Sequence, residues 1–243
     1  MPHSNLTFVQ LTRYLHLPEG QVRKLVDRGA IPSRRVNGEL IFSREEVHRW
    51  LECRIGVSDE SELGWVEKAL DGSVPVGGNE ELVTIAELIP AGAIAVPLLA
   101  KTRDSVIRSM VQLAVNTGLL WDSDAMLEAV KEREELHSTA LESGVALLHS
   151  RRPLPGILGD TFIVLGKLVK GIPFGGGFNN LTDIFFLICS MEDRVHLRIL
   201  TRLSRLLTFP DFLVKLRNLE NENAIRELLR TTELLILSKM QGD

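Results

Sequence analysis

The 243-residue sequence has a net charge of −4, 44% hydrophobic residues and two cysteines. This composition predicts a globular protein with one large or two unequal domains in a reducing cytoplasm, because cysteines as far apart as Cys53 and Cys189 do not make a disulfide framework. The longest uncharged apolar stretch, residues 89–100, contains two prolines and is much shorter than the roughly 20 residues that span a bilayer. We therefore expect no membrane span, and the N-terminus does not have the pattern of a signal peptide.

Charge is distributed unevenly along the chain. Residues 1–55 contain nine basic and six acidic residues, a net charge of +3. Residues 56–81 contain seven acidic residues and one lysine, together with the Gly/Pro/Ser-rich stretch DGSVPVGGN. This distribution predicts a small basic domain over 1–55, an acidic linker over 56–81 and a larger domain over 82–243.

The N-terminal residues predict two short helices, a β-hairpin and a third helix. Thr7 can cap the first helix, Pro18 suits the first turn of the second, and Gly29 can end it. The Asn-Gly dipeptide at 37–38 lies between two β-type runs and is a strong hairpin signal. Ser43 and Glu46 have the spacing of a capping box in front of the third helix.

This segment resembles the excisionase or MerR-like winged helix-turn-helix family over nearly all of residues 6–54. The resemblance is carried by Leu15, Val22, Leu25, Gly29, Ile31, Pro32, Arg35, Phe42, Val47 and Trp50. In that family the second helix enters the major groove of DNA and the wing contacts the backbone. The resemblance therefore implies DNA contacts on the second helix and on the wing, from Gln21, Arg23, Lys24, Arg34 and Arg35. The alternative is a solvated face, and some members of the family bind only proteins.

From residue 82 onward, short apolar β-type runs alternate with longer helical runs, which predicts an α/β domain with a mixed sheet flanked by helices. We expect strands over 93–98, 145–148, 162–165 and 184–189, and helices over 103–117, 123–135, 192–207 and 224–237. His149 would follow a strand, where sites usually form in α/β sheets. Ser190 with Asp193 would cap the helix whose first turns contain His196.

If the strands that precede His149 and Ser190 are neighbours, both imidazoles lie at one edge of the sheet. The amides at the N-terminus of the helix that contains His196 would lie beside them, and such amides are suited to binding an anion. Two histidines and an anion site indicate phosphoryl transfer, because a neutral imidazole is nucleophilic near neutral pH.

Two segments, REELHSTALESGVALLHS and EDRVHLRILTRLSRLL, resemble enzyme IIA of the fructose, mannitol and nitrogen-regulatory class of the phosphoenolpyruvate-dependent phosphotransferase system. The resemblance extends over about residues 82–240. It implies that His149 accepts a phosphoryl group from the carrier protein HPr or its nitrogen-branch homologue, and that His196 is the second active-site histidine. The other matched positions are Arg133, Glu134, Ser138 and Thr139.

We expect no metal, nucleotide or other cofactor, because phosphoryl transfer consists mostly of positioning and charge stabilisation. His196 and Arg133 would supply donors to the phosphoryl group. The sequence departs from the family's pattern where Leu148 replaces its proline, Ser150 the glycine after the histidine, and Ala140 a loop glycine. Arg151 and Arg152 add positive charge beside His149, either as phosphoryl ligands or as a solvated turn.

These features leave three hypotheses. The first is a cytoplasmic regulator in which phosphorylation of His149 changes how the N-terminal domain binds DNA or a partner, with homodimer formation as one route. The second is a IIA component that passes phosphate to a IIB partner for sugar uptake, against which we note that the sequence contains no IIB or IIC segment. The third is a docking module that no longer transfers phosphate, which Leu148 and Ser150 favour.

Two further interpretations have less support. A zinc site built from His137, His149, His196 and an acidic residue would have none of the short-spaced ligand pairs that are usual for zinc. The glycine-rich stretch GIPFGGGFNN has neither the lysine nor the glycine spacing of a phosphate-binding loop, so a connection between strands is the better interpretation.

Overall fold

The computed structural model describes residues 5–15, 19–36, 38–44, 46–47, 50, 84–175 and 180–241. The chain divides into two compact units, one with the N-terminal elements and one with the large sheet, and each is described by itself. The predicted linker over 56–81 and the domain boundaries at its ends lie outside the described residues, so the domain limits stay predictions. Within the described ranges, none of the helices has both the length and the apolarity that crossing a bilayer requires.

The N-terminal unit contains the predicted hairpin and both short helices. Its elements are β1 (Asn5–Thr7), α1 (Phe8–Leu15), α2 (Glu19–Asp27), β2 (Arg34–Val36) and β3 (Glu39–Ser43). Strand β3 lies between β1 and β2 in an antiparallel sheet, and Val36 pairs with Glu39 across the hairpin turn. The sequence does not predict β1, because a three-residue strand is too short to display an alternating pattern.

Local hydrogen bonds determine where α1 begins and α2 ends. Thr7 Oγ1 accepts from the Gln10 N–H (3.3 Å), and the Gln10 side chain accepts from the Thr7 N–H (2.9 Å), so the expected cap forms as a reciprocal capping box. Gly29 has a φ of 66° and ends α2 as predicted, because glycine adopts this left-handed conformation at little cost. Pro18 lies outside the described residues.

The capping box predicted over 43–46 forms only in part. The Glu46 N–H lies 3.5 Å from Ser43 Oγ, but the Glu46 carboxylate accepts from Arg34 Nη2 at 2.6 Å instead of reaching back to the backbone of Ser43. The described residues that follow, at 44, 46, 47 and 50, are helical. Among the described residues up to 50, the buried apolar side chains are Leu11, Leu15, Val22, Ile31, Phe42 and Val47.

The second unit is built on a four-stranded mixed sheet with the strand order β4-β6-β7-β5. Its strands are β4 (Ile94–Ala95), β5 (Val145–His149), β6 (Phe162–Pro173) and β7 (Leu181–Cys189). The described helices after residue 84 are α3 (Arg103–Asn116), α4 (Ser123–Leu136), α5 (Asp193–Thr208), α6 (Phe212–Asn218) and α7 (Glu222–Gln241). Strand β6 pairs antiparallel with β7, whereas the outer pairs β4·β6 and β5·β7 are parallel. The predicted α/β class with a mixed sheet flanked by helices is confirmed.

Several elements differ from the prediction in their ends. Strand β6 continues to Pro173, and an irregular register between Lys167 and Ile172 interrupts the apolar alternation that would have marked its second half. Strand β4 is shorter than predicted, because Pro97 has no N–H to continue the ladder. Helix α6 is not predicted at all, since seven residues contain too few turns for a helical period.

The core of this unit lies on strands β5, β6 and β7. Every residue of β5 is buried, and most of β6 and β7 is buried as well, which explains why these strands read as continuous apolar runs rather than as alternating ones. Among the residues of this unit that the structure describes, the fully buried aromatic side chains are Phe162, Phe185, Phe186 and Phe212. The apolar run that ends in His149 is therefore fully buried, although β5 lies at one end of the strand order.

We expect Cys189, the last residue of β7, to be unreactive in the native protein. Its side chain is fully buried, and burial raises the pKa of the thiol. Because the thiolate is the reactive form, a pulse of iodoacetamide near neutral pH should label Cys189 only after denaturation. Peptide mass spectrometry of a Cys53→Ser chain measures this labelling without the second thiol. Equal labelling rates in the native and the denatured chain would contradict the prediction.

Candidate functional site

The structure brings the two predicted site histidines together. His149 is the last residue of β5, and His196 lies in the first turns of α5, the helix that follows β7. Strands β5 and β7 are adjacent and parallel, with His149 paired to Ile188, so both histidines lie at one edge of the sheet. Their ring centroids are 5.0 Å apart, and the planes are inclined at 58°. Both residues are buried.

Two hydrogen bonds determine the tautomer of His149. Its Nδ1 lies 2.7 Å from the carbonyl oxygen of Leu147, and because a carbonyl only accepts, Nδ1 carries the proton. Arg133 Nε donates to His149 Nε2 at 3.2 Å, and because a guanidinium only donates, Nε2 holds the lone pair. His149 is therefore a neutral imidazole whose lone pair is on Nε2.

Arg133 is held in the last turn of α4. Its Nη1 donates to the carbonyl oxygen of His137, the residue that caps the C-terminus of this helix, at 2.8 Å. With Nε on His149, the guanidinium places a permanent positive charge beside the nucleophilic nitrogen. The His137 side chain is exposed, and its Nδ1 lies 2.9 Å from the carbonyl oxygen of Ser138.

The buried carboxylate of Glu134 connects α4 to the loop that follows it. Its Oε1 accepts from the Thr139 N–H at 2.8 Å and from the Thr139 hydroxyl. Its Oε2 accepts from Arg103 Nη2 at 2.9 Å, and the same nitrogen donates to the Glu134 carbonyl oxygen at 2.7 Å. In these contacts Thr139 supports the loop rather than the two histidines. The sequence does not mark Arg103 as a site residue, because its partner is 31 residues away.

Ser138 takes part in the same loop. Its Oγ accepts from the Ala140 N–H at 3.2 Å, and its side chain lies so close to Gly175 that a Cβ there would overlap with it. Ala140, which replaces a glycine of the family's pattern, forms an antiparallel bridge with Ala146 next to β5. The described contacts of the Ser138 side chain are therefore with the backbone of its own loop and with Gly175.

The expected role of Ser190 as a helix cap is wrong. The residue at the cap of α5 is Glu192, which makes no capping bond with its side chain, and Asp193 is the first residue of the helix. Ser190 Oγ lies instead 2.9 Å from Nδ1 of His196. The prediction fails because a short side chain at the end of a buried strand can bond a ring that tertiary packing brings to it.

The substitutions next to His149 are accommodated in the interior. Leu148 is fully buried within β5. Ser150 Oγ donates to the carbonyl oxygen of Arg152 at 2.6 Å, which closes the turn after His149. Arg151 and Arg152 are exposed at the surface. The turn therefore has a defined conformation without the glycine of the family's pattern.

The predicted DNA-contacting residues lie on α2 and on the hairpin. Arg23 pairs with Glu19 at 3.0 Å and lies over the ring of Phe8, and Lys24 is exposed on the same helix. On strand β2, Arg34 pairs with Glu46, and Arg35 is exposed. The side chain of Gln21 is outside the described part of the structure.

Across the part of the chain that the structure describes, no three His, Cys, Asp or Glu side chains are grouped so that they could hold a metal ion. The first residues of the glycine-rich stretch, Gly171 to Pro173, belong to strand β6. Residues 176–179 of the same stretch lie outside the described ranges.

Comparison with known families agrees with this architecture. Residues 87–231 match the family described as phosphoenolpyruvate-dependent sugar phosphotransferase system, EIIA 2. Residues 6–54 match a family described as a helix-turn-helix domain. Because the first match covers more than half of the sequence, the chain belongs to the EIIA type-2 family, and it carries a helix-turn-helix domain at its N-terminal side.

Named relatives come from both branches of the family. The fructose-specific EIIABC component of Bacillus subtilis is 28% identical over 147 residues, which are 60% of this chain but only 23% of that protein. The fructose-specific EIIA component of Haloferax volcanii is 26% identical over 61% of this chain and 96% of its own length. The nitrogen regulatory protein of Bradyrhizobium diazoefficiens is 29% identical over 60% of this chain and 94% of its own length.

Solved structures show the same fold. IIA mannitol from Escherichia coli superposes with a TM-score of 0.52 at 21% identity, over 58% of this chain and 98% of that one. The nitrogen regulatory protein IIA-Ntr from Neisseria meningitidis gives 0.53 at 19% identity, over 60% and 98%. At these identities the likeness establishes the fold alone.

Proposed function

We propose that this chain is a cytoplasmic IIA-type phosphocarrier that regulates through its helix-turn-helix domain. His149 accepts a phosphoryl group from HPr or its nitrogen-branch homologue, and the added charge changes how the N-terminal domain binds DNA or a protein partner. The observation that carries the proposal is the state of His149, a neutral imidazole whose Nε2 lone pair is next to Arg133.

The transfer step requires nothing beyond the two proteins. Arg133 Nε releases Nε2 of His149, the freed lone pair attacks the phosphorus of the donor's phosphohistidine, an N–P bond forms, and the donor's N–P bond breaks. Its electron pair returns to the donor's imidazole. The proton on His149 Nδ1 stays in place, held by the carbonyl of Leu147. Such transfer depends on position and on charge stabilisation.

The surroundings of Nε2 suit a phosphoryl group. A phosphoryl group carries about −1.5 to −2 charges near neutral pH and has three strong acceptor oxygens. Arg133 supplies a fixed positive charge at 3.2 Å from Nε2, and the ring of His196 lies 5.0 Å from that of His149. We expect both groups to donate hydrogen bonds to phosphoryl oxygens once the phosphoryl group is attached.

Reconstitution of the transfer tests this proposal. The full chain is incubated with phosphoenolpyruvate, enzyme I and either HPr or its nitrogen-branch homologue, and an acid-labile, base-stable mass increase is followed. Transfer from either donor is the expected result. Absence of label from both donors would overturn the proposal and leave a docking module that does not transfer phosphate.

A second candidate function is transfer onward to a IIB protein during sugar uptake. One observation favours it: a solved structure that resembles this chain, at 20% identity and a TM-score of 0.53, is a complex of Escherichia coli enzyme IIA mannitol with phosphorylated enzyme IIB mannitol. The two functions differ in the acceptor. Onward transfer from phosphorylated His149 to an added IIB protein would favour the second candidate, and a change in DNA binding on phosphorylation the first.

For the DNA-binding role, we expect the double variant Lys24→Ala/Arg35→Ala to bind all duplexes more weakly. Both side chains are exposed, one on α2 and one on the hairpin, where they can contact phosphates. The slope of the logarithm of the association constant against the logarithm of the salt concentration is negative, and its magnitude should fall by about one for each lost contact. Titration of fluorescent duplexes selected from genomic fragments by the full chain measures this slope.

The control is Lys215→Ala, which removes an exposed lysine from α6 of the second unit and should leave binding unchanged. Phosphorylation should alter the affinity of the wild-type chain but not that of His149→Ala. If the double variant binds as tightly as the Lys215→Ala chain, the predicted DNA surface is wrong.

A further inference from the structure

A buried hydroxyl group at the end of β7 contacts the second histidine. Ser190 is 3% exposed and His196 is 1% exposed, and the distance from Ser190 Oγ to His196 Nδ1 is 2.9 Å. This contact is separate from the helix cap, which Glu192 occupies. It therefore requires a different explanation from the one that the sequence suggests for Ser190.

The direction of this hydrogen bond follows from the partners of the hydroxyl. Within the described ranges, His196 Nδ1 is the one group that hydrogen-bonds to Ser190 Oγ. A buried hydroxyl that does not donate its proton loses a hydrogen bond that it would make in water, which is costly. Ser190 therefore donates to Nδ1. The lone pair of His196 is on Nδ1, and in the neutral ring the proton is on Nε2.

We propose that Ser190 is a positioning residue that holds His196 as a hydrogen-bond donor toward the phosphoryl group. This inference rests on the proposed function. The two histidines then have opposite tautomers: His149 has its lone pair on Nε2 and receives the phosphoryl group, whereas His196 has its proton on Nε2 and donates to a phosphoryl oxygen. Without a fixed tautomer, the neutral His196 ring would present a lone pair to those oxygens part of the time.

The assignment is consistent with the position of the second histidine. Its ring lies 5.0 Å from that of His149, centroid to centroid, so one ring is the immediate neighbour of the other. In each ring a hydrogen bond at Nδ1, the nitrogen that takes no part in the proposed transfer, fixes the tautomer. The Leu147 carbonyl accepts from Nδ1 of His149, and the Ser190 hydroxyl donates to Nδ1 of His196. The hydrogen bond at one ring nitrogen of a histidine commonly decides whether the other nitrogen carries the proton.

Nitrogen NMR of the full chain, labelled with ¹⁵N-histidine and not phosphorylated, tests the assignment. In the wild type, the neutral His196 ring should give a protonated Nε2 and an unprotonated Nδ1, with the signals assigned by their loss in His196→Ala. In Ser190→Ala the two signals should move toward each other, because the tautomers then exchange. Ser150→Ala is the matched control, because it removes another buried hydroxyl that bonds a carbonyl and not a ring.

The second readout is the lifetime of the phosphohistidine. Ser190→Ala should shorten it about three- to tenfold, the value of one neutral hydrogen bond, and Ser190→Thr, which restores the hydroxyl, should return it toward that of the wild type. A wild-type ring protonated on Nδ1, or a Ser190→Ala spectrum identical to the wild type, would overturn the inference. The NMR result does not depend on phosphorylation. If the proposed function fails and the inference holds, the chain takes up no phosphoryl group but His196 still shows the expected tautomer.

Discussion

Replacement of His149 by alanine is expected to abolish phosphoryl transfer to this chain, and replacement of His196 is expected only to slow it. In the proposed transfer, His149 supplies the nitrogen that forms the N–P bond, so His149→Ala would leave nothing to accept the group. His196 would supply one hydrogen bond to a charged group, worth about 1.5–3 kcal/mol, so its loss should lower the rate about 10- to 150-fold. We therefore expect different contributions from the two histidines although their rings are 5.0 Å apart.

The measurement is the rate at which the intact mass increases in the presence of phosphoenolpyruvate, enzyme I and the carrier protein. His137→Ala is a matched control, because the side chain of His137 is exposed and only its backbone carbonyl contacts Arg133. This variant should be labelled at the wild-type rate. Label that persists at full rate in His149→Ala would place the acceptor on another residue.

Glu134→Ala is expected to reduce the stability of the second unit. The substitution removes the acceptor of the Thr139 N–H and hydroxyl, both buried, and leaving such groups without a partner costs about 1–3 kcal/mol. The loss of the Arg103 ion pair should add little, because the Arg103 side chain is 40% exposed and water can replace the carboxylate. Urea unfolding followed by circular dichroism gives the free energy of unfolding of each variant.

Two further variants distinguish the burial of Glu134 from its charge. Glu135→Ala removes the neighbouring exposed carboxylate and should change the stability by less than about 0.5 kcal/mol. Glu134→Gln keeps an acceptor for Thr139, so its free energy of unfolding should lie between those of Glu134→Ala and Glu135→Ala. If Glu134→Ala proves as stable as Glu135→Ala, then Glu134 does not hold the loop that follows α4.

The sequence was sufficient to predict the features that depend on neighbours along the chain. The capping pair around Thr7, the hairpin turn at 37–38 and the end of α2 at Gly29 are all local, and the structure contains them. Three of the predicted helices, over 103–117, 123–135 and 192–207, also form with ends shifted by one residue, whereas the last begins two residues earlier and ends four residues later than predicted, and α6 was not predicted. The family resemblance named His149 and His196, and parallel pairing of their strands brings them together.

Only the tertiary structure decided which atoms of the site contact one another. The bond from Arg103 to Glu134 joins residues 31 positions apart, and no local pattern specifies it. The sequence suggests a helix cap for Ser190, but packing places its hydroxyl on His196. The tautomer of His149 likewise depends on Arg133, which a different helix supplies. Residue type and periodicity determine which segments form strands and helices, whereas hydrogen bonds between distant residues form only after those segments pack.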